Sequence, residues 1–77
     1  MSIENNPREK RPAWLDNANS RWLAIDSRER QIILASLLHE GIIDSLGKII
    51  KFKYSNLDQM PEVCAKAIAE KLGISVP

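Results

Sequence analysis

The chain has 77 residues, of which 44% are hydrophobic, and its 11 Lys and Arg against 10 Asp and Glu give a net charge of +1. This length excludes more than one domain, and a domain so small buries only about 60 to 65% of the surface that its unfolded chain exposes. The near-zero charge counts against a general polyanion binder, for which a pI above about 9 and clustered basic residues are typical.

Membrane and secretory classes are also disfavoured. No stretch approaches the roughly 18 apolar residues that span a bilayer, and the polar beginning of the chain lacks the apolar segment of a signal peptide. The single cysteine, Cys64, allows no disulfide within the chain and no cysteine cluster for zinc. We therefore expect a soluble, cytoplasmic protein with no membrane association and no metal or other cofactor.

Residues 1–11 carry almost nothing to bury and contain the turn signal NNP. We expect them to form a flexible basic arm, followed by a single helical domain over residues 12–77. The charged groups of this arm are Arg8, Lys10 and Arg11.

The first helix is predicted near residues 12–25. Pro12 suits the first turn, where its missing N–H is not needed. One helix face is then marked by apolar residues at i, i+3, i+7 and i+10, namely Leu15, Ala18, Trp22 and Ile25. Trp14 lies at the margin of this stripe.

Asp26 is the clearest predicted N-cap in the chain, because Glu29 follows three residues later in a variant of the capping box. Beyond it a broad apolar face runs straight through Gly41, carried by Leu34, Leu38, Ile42, Leu46 and Ile49. A glycine inside a helix costs about 1 kcal/mol relative to alanine, whereas a glycine just after a helix satisfies the last carbonyls. We therefore expect helices near 27–39 and 42–53. One long central helix kinked at Gly41 is the alternative.

Residues 49–54 also match a strand, because Ile50, Phe52 and Tyr54 alternate with two lysines. A lone strand has no partner in this chain, so this alternative requires a homodimer.

The last helix is predicted near 61–72, started by Pro61 and ended by Gly73. Its expected buried arc is Val63, Cys64, Ala67, Ile68 and Leu72. The pattern as a whole predicts an all-α domain of three or four short helices, packed orthogonally or as a bundle.

The stretch AIAEKLGIS, residues 67–75, resembles the first helix and turn of helix-turn-helix DNA-binding domains. The resemblance implies that Ser75 would cap a recognition helix, but only two residues of the printed sequence follow it. The same residues also match the pattern of a helix C-terminus, with Gly73 in the left-handed conformation and Ile74 folded back onto Ile68 or Ala69. We favour the helix end.

A nucleophile and base could come only from the single thiol, Cys64, and the single histidine, His39. Cys64 falls on the apolar arc, where cysteine behaves as a small hydrophobe. His39 falls at a helix end, where its charge complements the helix dipole. We therefore predict a non-enzymatic protein, and a Cys64-based enzyme is the remote alternative.

Surplus apolar side chains suggest a contact surface, since Ile33 and Leu37 project from the polar side of the second helix. The other helices of a small bundle could equally cover them. We predict an interaction module, such as an adaptor, inhibitor or accessory subunit, that occupies a surface of a larger protein. Its candidate contact residues are Ile33, Leu37, Trp14, Arg8, Lys10 and Arg11.

The alternative function is that of a nucleic-acid-associated regulator. Its phosphate contacts would be Arg8, Lys10, Arg11, Lys48, Lys51 and Lys53. The interleaved stretch KFKY resembles the charge-plus-aromatic chemistry that holds single strands, although alternating lysine is also typical of a solvated helix face.

Overall fold

A computed structural model describes residues 12–77, and within that range the chain forms four α-helices and one 3-10 turn and no strand. The helices are α1 (Ala13–Ala24), α2 (Ser27–His39), α3 (Leu46–Lys53) and α4 (Glu62–Lys71), with the turn at Leu57–Gln59 between α3 and α4. The prediction of a small all-α domain is therefore confirmed. The predicted basic arm over 1–11 lies outside the described residues.

Gly41 separates α2 from α3. Its φ of +83° is left-handed, a conformation that costs other residues about 1 to 2 kcal/mol. Its N–H donates to the Leu38 carbonyl at 3.1 Å, and the Ile42 N–H donates to the Leu37 carbonyl at 2.9 Å. These two bonds make a Schellman motif. The predicted break is confirmed, and the single kinked helix is wrong.

The chain restarts as a helix at Ser45, whose hydroxyl accepts a hydrogen bond from the Lys48 N–H. Because α3 is helical through Lys53, the strand alternative for residues 49–54 is wrong. The expectation that Leu46 shares the buried face is also wrong, since this side chain is exposed. The intervening turn rotates α3 relative to α2, so that Ile49 and Phe52 point into the core instead.

The core lies among all four helices and the 3-10 turn, with α1 packed against α4 and the turn, and α2 packed against α3 and α4. Its largest fully buried side chains are Trp22, Leu34, Leu37, Leu57, Ile68 and Cys64. Two polar groups of α1 anchor the connector after α3: the Trp22 indole donates to the Ser55 carbonyl at 3.0 Å, and the Asn19 side chain accepts from the Leu57 N–H at 2.8 Å. The indole can be buried because its N–H has this partner.

Arg30 fixes α3 against α1 and α2. Its guanidinium donates to the carbonyls of Ile25 at 3.2 Å, Lys53 at 3.0 Å and Leu23 at 3.2 Å. The same group lies 5.8 Å from the ring centroid of Trp22. The last carbonyls of a helix have no intrahelical partner, so one side chain completes the ends of both α1 and α3.

Gly73 ends α4 as the sequence predicts. Its φ is +83°, its N–H donates to the Glu70 carbonyl at 3.0 Å, and the Ile74 N–H donates to the Ala69 carbonyl at 2.9 Å. This second Schellman motif confirms the helix-end interpretation, and Ile74 packs against the core. None of the described residues after Gly73 is helical, so the structure contains no recognition helix there.

The buried arc of α4 differs from the predicted one at Val63, which is exposed. The buried face is centred on Ile68 and includes Ala65 and Ala69. Val63 lies five residues before Ile68, which places it far around the helix from the core. The small alanines let α1 approach α4 closely, a choice that hydrophobicity alone does not indicate.

Candidate functional site

The apolar residues predicted to contact a partner are placed in or against the core. Leu37 is 0% exposed and Trp14 is 8% exposed, and Ile33 is partly buried against the same core. The sequence allows these side chains either to form a contact surface or to be covered by the other helices, and in the structure they are covered. The physical reason is that α2 is central, with α3 packed on one side and α4 on another.

Of the basic residues predicted as a nucleic-acid surface, the structure describes the three lysines of α3. Arg8, Lys10 and Arg11 lie outside the described residues. In α3, the Lys48 ammonium pairs with Asp44 at 3.1 Å, while Lys51 is exposed.

Lys53 has two neighbours of its own. Its ammonium donates to the Gln31 side-chain oxygen at 2.8 Å and lies 5.3 Å from the ring centroid of Tyr54. The interleaving of lysine and aromatic groups that the sequence suggests is therefore present at this one position.

Cys64 is enclosed, being 2% exposed. Its sulfur lies 3.9 Å from the sulfur of Met60, and burial raises the pKa of its thiol. His39 is exposed at the end of α2, and no hydrogen bond joins the two side chains within the described part of the chain. This arrangement favours a packing role for Cys64, since a reactive thiol needs access and a lowered pKa.

Two further features bear on the class of site. Over residues 12–77, no group of three or more His, Cys, Asp or Glu side chains is placed to hold a metal ion. No helix in the same range has both the length and the apolar character needed to cross a bilayer.

The exposed apolar side chains are concentrated on two helices. On α3 and its C-cap, Leu46, Ile50 and Tyr54 are spaced at i, i+4 and i+8 and are 69%, 66% and 69% exposed. Ile32 of α2 is 63% exposed. We call these four residues the apolar face.

A shallow groove runs between α2 and α3 beside the apolar face. It consists of two depressions of about 450 and about 330 Å³ that share Gln31 and Ala35. The remaining lining residues are Ser27, Arg28, Ile32, Lys53, Leu38, Leu46, Ile49 and Ile50. We call this the α2–α3 groove. Apart from Gln31, the second depression is lined by apolar side chains, and the two cationic side chains of the groove, Arg28 and Lys53, both line the first depression.

Sequence reasoning missed this site because it carried the apolar face of α2 through Gly41 into α3. A restart of the helical register at Ser45 would have separated the stripe of Leu46, Ile50 and Tyr54 from Ile49 and Phe52. Ile32 offered no comparable signal, because an isolated apolar residue on a helix surface is ordinary.

Comparison with known proteins finds no matching family model, no matching curated protein and no matching solved structure.

Proposed function

We propose that this protein is a small interaction module that acts by occupying a surface of a larger protein through the apolar face. One observation carries the proposal: of the six large hydrophobic side chains that are exposed in the described residues, four belong to this face. Single exposed apolar residues are ordinary, whereas a group of neighbours marks a contact site. An adaptor, an inhibitor and an accessory subunit all act in this way.

The apolar face can supply a large part of the energy that specific binding requires. Complete burial of an Ile or Leu side chain is worth about 1.5 to 3 kcal/mol, and about two-thirds of Ile32, Leu46 and Ile50 is still exposed. Burying the exposed parts of these three residues would therefore contribute about 3 to 6 kcal/mol. Micromolar affinity requires about 8 kcal/mol, so these side chains would be the main anchors and groove contacts would supply the remainder.

The fold presents this face on fixed elements. Arg30 holds the C-terminal end of α3 through the Lys53 carbonyl, and the Ser45 cap holds the beginning of the same helix. Rigid presentation lowers the entropy that binding must overcome.

The test is a comparison of Ile50→Asp with Val63→Asp. Both positions are exposed to a similar degree, 66% and 61%, but Val63 belongs to α4 and lies outside the apolar face. Partners are first captured by the full chain from the native cell and identified by mass spectrometry, and their affinities are then measured with purified proteins. We expect Ile50→Asp to weaken binding at least about tenfold and Val63→Asp to leave it unchanged, with both variants retaining their helical circular dichroism.

Equal binding by the two variants would refute the apolar face as the contact. Leu37→Asp serves as the third arm, because Leu37 is fully buried and its substitution should unfold the domain rather than affect binding alone.

A second candidate is a nucleic-acid-associated regulator, which one observation favours: the exposed ring of Tyr54 lies beside the Lys53 ammonium, as in single-strand binding sites. Titration with single-stranded DNA and RNA at several salt concentrations tests it. Binding through phosphate contacts must weaken as salt rises, by a log–log slope of roughly 0.7 for each phosphate neutralised. Absence of binding, or binding that salt does not change, would remove this candidate.

A further inference from the structure

We infer that the α2–α3 groove receives an amphipathic α-helix of the partner that carries acidic residues at one end. This inference rests on the proposed function and adds the chemistry of the partner to it.

The first support is the uncompensated charge at the groove. Among the described residues, three lysines are paired with carboxylates, and these are Lys48, Lys66 and Lys71. Arg28 and Lys53 have no carboxylate partner within that part of the chain. The same is true of Arg21, Arg30 and Lys51, but Arg28 and Lys53 are the pair that lines one depression. The Lys53 ammonium donates to the neutral side-chain amide oxygen of Gln31.

No acidic side chain lines either depression in the described structure. The groove therefore has a cationic end at Arg28 and Lys53, and its other end is apolar apart from Gln31. A carboxylate brought to this end would form charge-assisted hydrogen bonds, which are stronger than those between neutral groups.

The second support is the shape of the groove. The hydrogen bond from Lys53 to Gln31 joins the C-terminal end of α3 to the first half of α2, while a short connection joins the other two ends, so the two helices run antiparallel. The 13 residues of α2 extend about 20 Å at 1.5 Å per residue. The small side chain of Ala35 lies at the centre, where both depressions meet.

The stretch flanked by both helices is set by the shorter one, since the 8 residues of α3 extend about 12 Å, so the cleft contacts about two turns of a bound helix. Helices that bind in this way place apolar anchors at i, i+3 or i+4, and i+7. Ile32 on one wall and Ile50 on the other would contact those anchors.

The charge pattern also distinguishes this occupant from a second copy of the chain. A two-fold pairing of two grooves would bring no carboxylate from the lining residues to Arg28 or Lys53. An anionic lipid surface would satisfy the charges, but it is flat on this scale and would leave the concave centre at Ala35 without a contact.

The experiment is a selection from a displayed library of fourteen-residue helical peptides, using the full-length chain as target. Apolar residues are held at the anchor positions, and the other positions vary among Glu, Lys, Gln and Ala. We expect binders with Glu enriched at one end, whose affinity falls at least about tenfold on Ile50→Asp.

The charge preference is tested with the double variant Arg28→Glu/Lys53→Glu. Selection on this variant should enrich Lys instead of Glu at the same peptide positions, and the original acidic peptides should bind it about tenfold or more weakly. The matched control is Lys51→Glu, an exposed lysine of α3 that does not line the groove, and it should leave the acidic preference unchanged.

Each other outcome overturns the inference in a distinct way. Peptides that need Ile50 but show no charge preference would leave the apolar face as a contact site and refute the acidic helix. Selection of no peptide would refute the acidic helix alone, because the apolar face is tested separately by the comparison of Ile50→Asp with Val63→Asp. A dimer in light scattering that Ile50→Asp dissociates would assign the groove to a second copy. Binding to phosphatidylserine vesicles that depends on Ile50, without peptide binding, would assign it to a membrane.

Discussion

Replacement of Arg30 by methionine should lower the free energy of unfolding by about 3 kcal/mol. The two part-buried hydrogen bonds, to the carbonyls of Ile25 and Lys53, are worth about 1 kcal/mol each, and the exposed bond to Leu23 about half as much. The contact with the Trp22 ring adds about 0.5 to 1 kcal/mol. Methionine keeps the packing of the aliphatic stem, so the estimate concerns the guanidinium alone.

Arg30→Lys separates the geometry of the guanidinium from its charge. An ammonium at this position can reach one carbonyl but cannot donate to three in different directions. We therefore expect about half of the loss, roughly 1.5 kcal/mol. Arg28→Met is the matched control, because Arg28 lies one half-turn earlier on α2, is exposed, and should change stability by less than about 0.5 kcal/mol.

Urea unfolding followed by circular dichroism measures all three variants. The m-value should stay constant while the midpoint falls, since the surface exposed on unfolding is unchanged. A loss of about 3 kcal/mol corresponds to a fall in Tm of about 12 to 24 °C for a domain of this size. If Arg30→Met and Arg28→Met have equal stabilities, the proposed role of Arg30 in joining the helix ends is refuted.

Three further predictions concern other positions. Gly47→Ala should stabilise the fold by about 0.5 to 1 kcal/mol, because the new Cβ meets only the Ser45 hydroxyl oxygen at 3.9 Å and alanine favours helix. Gly41→Ala should destabilise the fold by about 1 kcal/mol through left-handed strain. Thermal melts that shift Tm in the same direction for both variants would contradict this prediction. A hydrogen bond from Lys71 lowers the pKa of the exposed Glu40 carboxyl, so its stabilisation is present above the ordinary pKa of that carboxyl and is lost as pH falls through the lowered value. The difference in unfolding free energy between wild type and Glu40→Gln should therefore shrink from about pH 6 to about pH 3. A difference that stays constant with pH would argue against this ion pair. Burial raises the pKa of the Cys64 thiol, so a disulfide reagent should label the native protein only as fast as the fold opens. The urea-unfolded protein should be labelled much faster, and equal labelling rates would show that the thiol is accessible in the native protein.

Helix positions follow from short-range signals in this chain. Asp26, Gly41 and Gly73 each act within about five residues of themselves, through a cap or a left-handed turn. The predicted helices near 12–25, 27–39 and 61–72 therefore agree closely with Ala13–Ala24, Ser27–His39 and Glu62–Lys71. The start of α3 was displaced from 42 to 46, because the α2 cap uses the Ile42 N–H and the following turn places Ile43 in the core.

Which side chains are covered is a different kind of property. A helical wheel gives the angles between residues of one helix, but it does not indicate how many neighbours surround that helix. Leu37 was a candidate for a surface because it projects from the polar side of its own helix, and Trp14 because it lies at the margin of its apolar stripe. They are buried because α2 and α1 are each packed on more than one side.

The amino-acid sequence by itself therefore determined the all-α class, the break at Gly41 and the two glycine-capped helix ends, because these depend on local backbone preferences and hydrogen bonds. Only the tertiary structure decided that Leu46 and Ile50 face outward with Ile32 beside them and that Arg28 and Lys53 meet at one end of a groove. Exposure and charge pairing depend on how the helices pack against one another, which brings together residues that local sequence patterns do not relate. For the same reason, the proposed contact site differs from the residues that the sequence suggested.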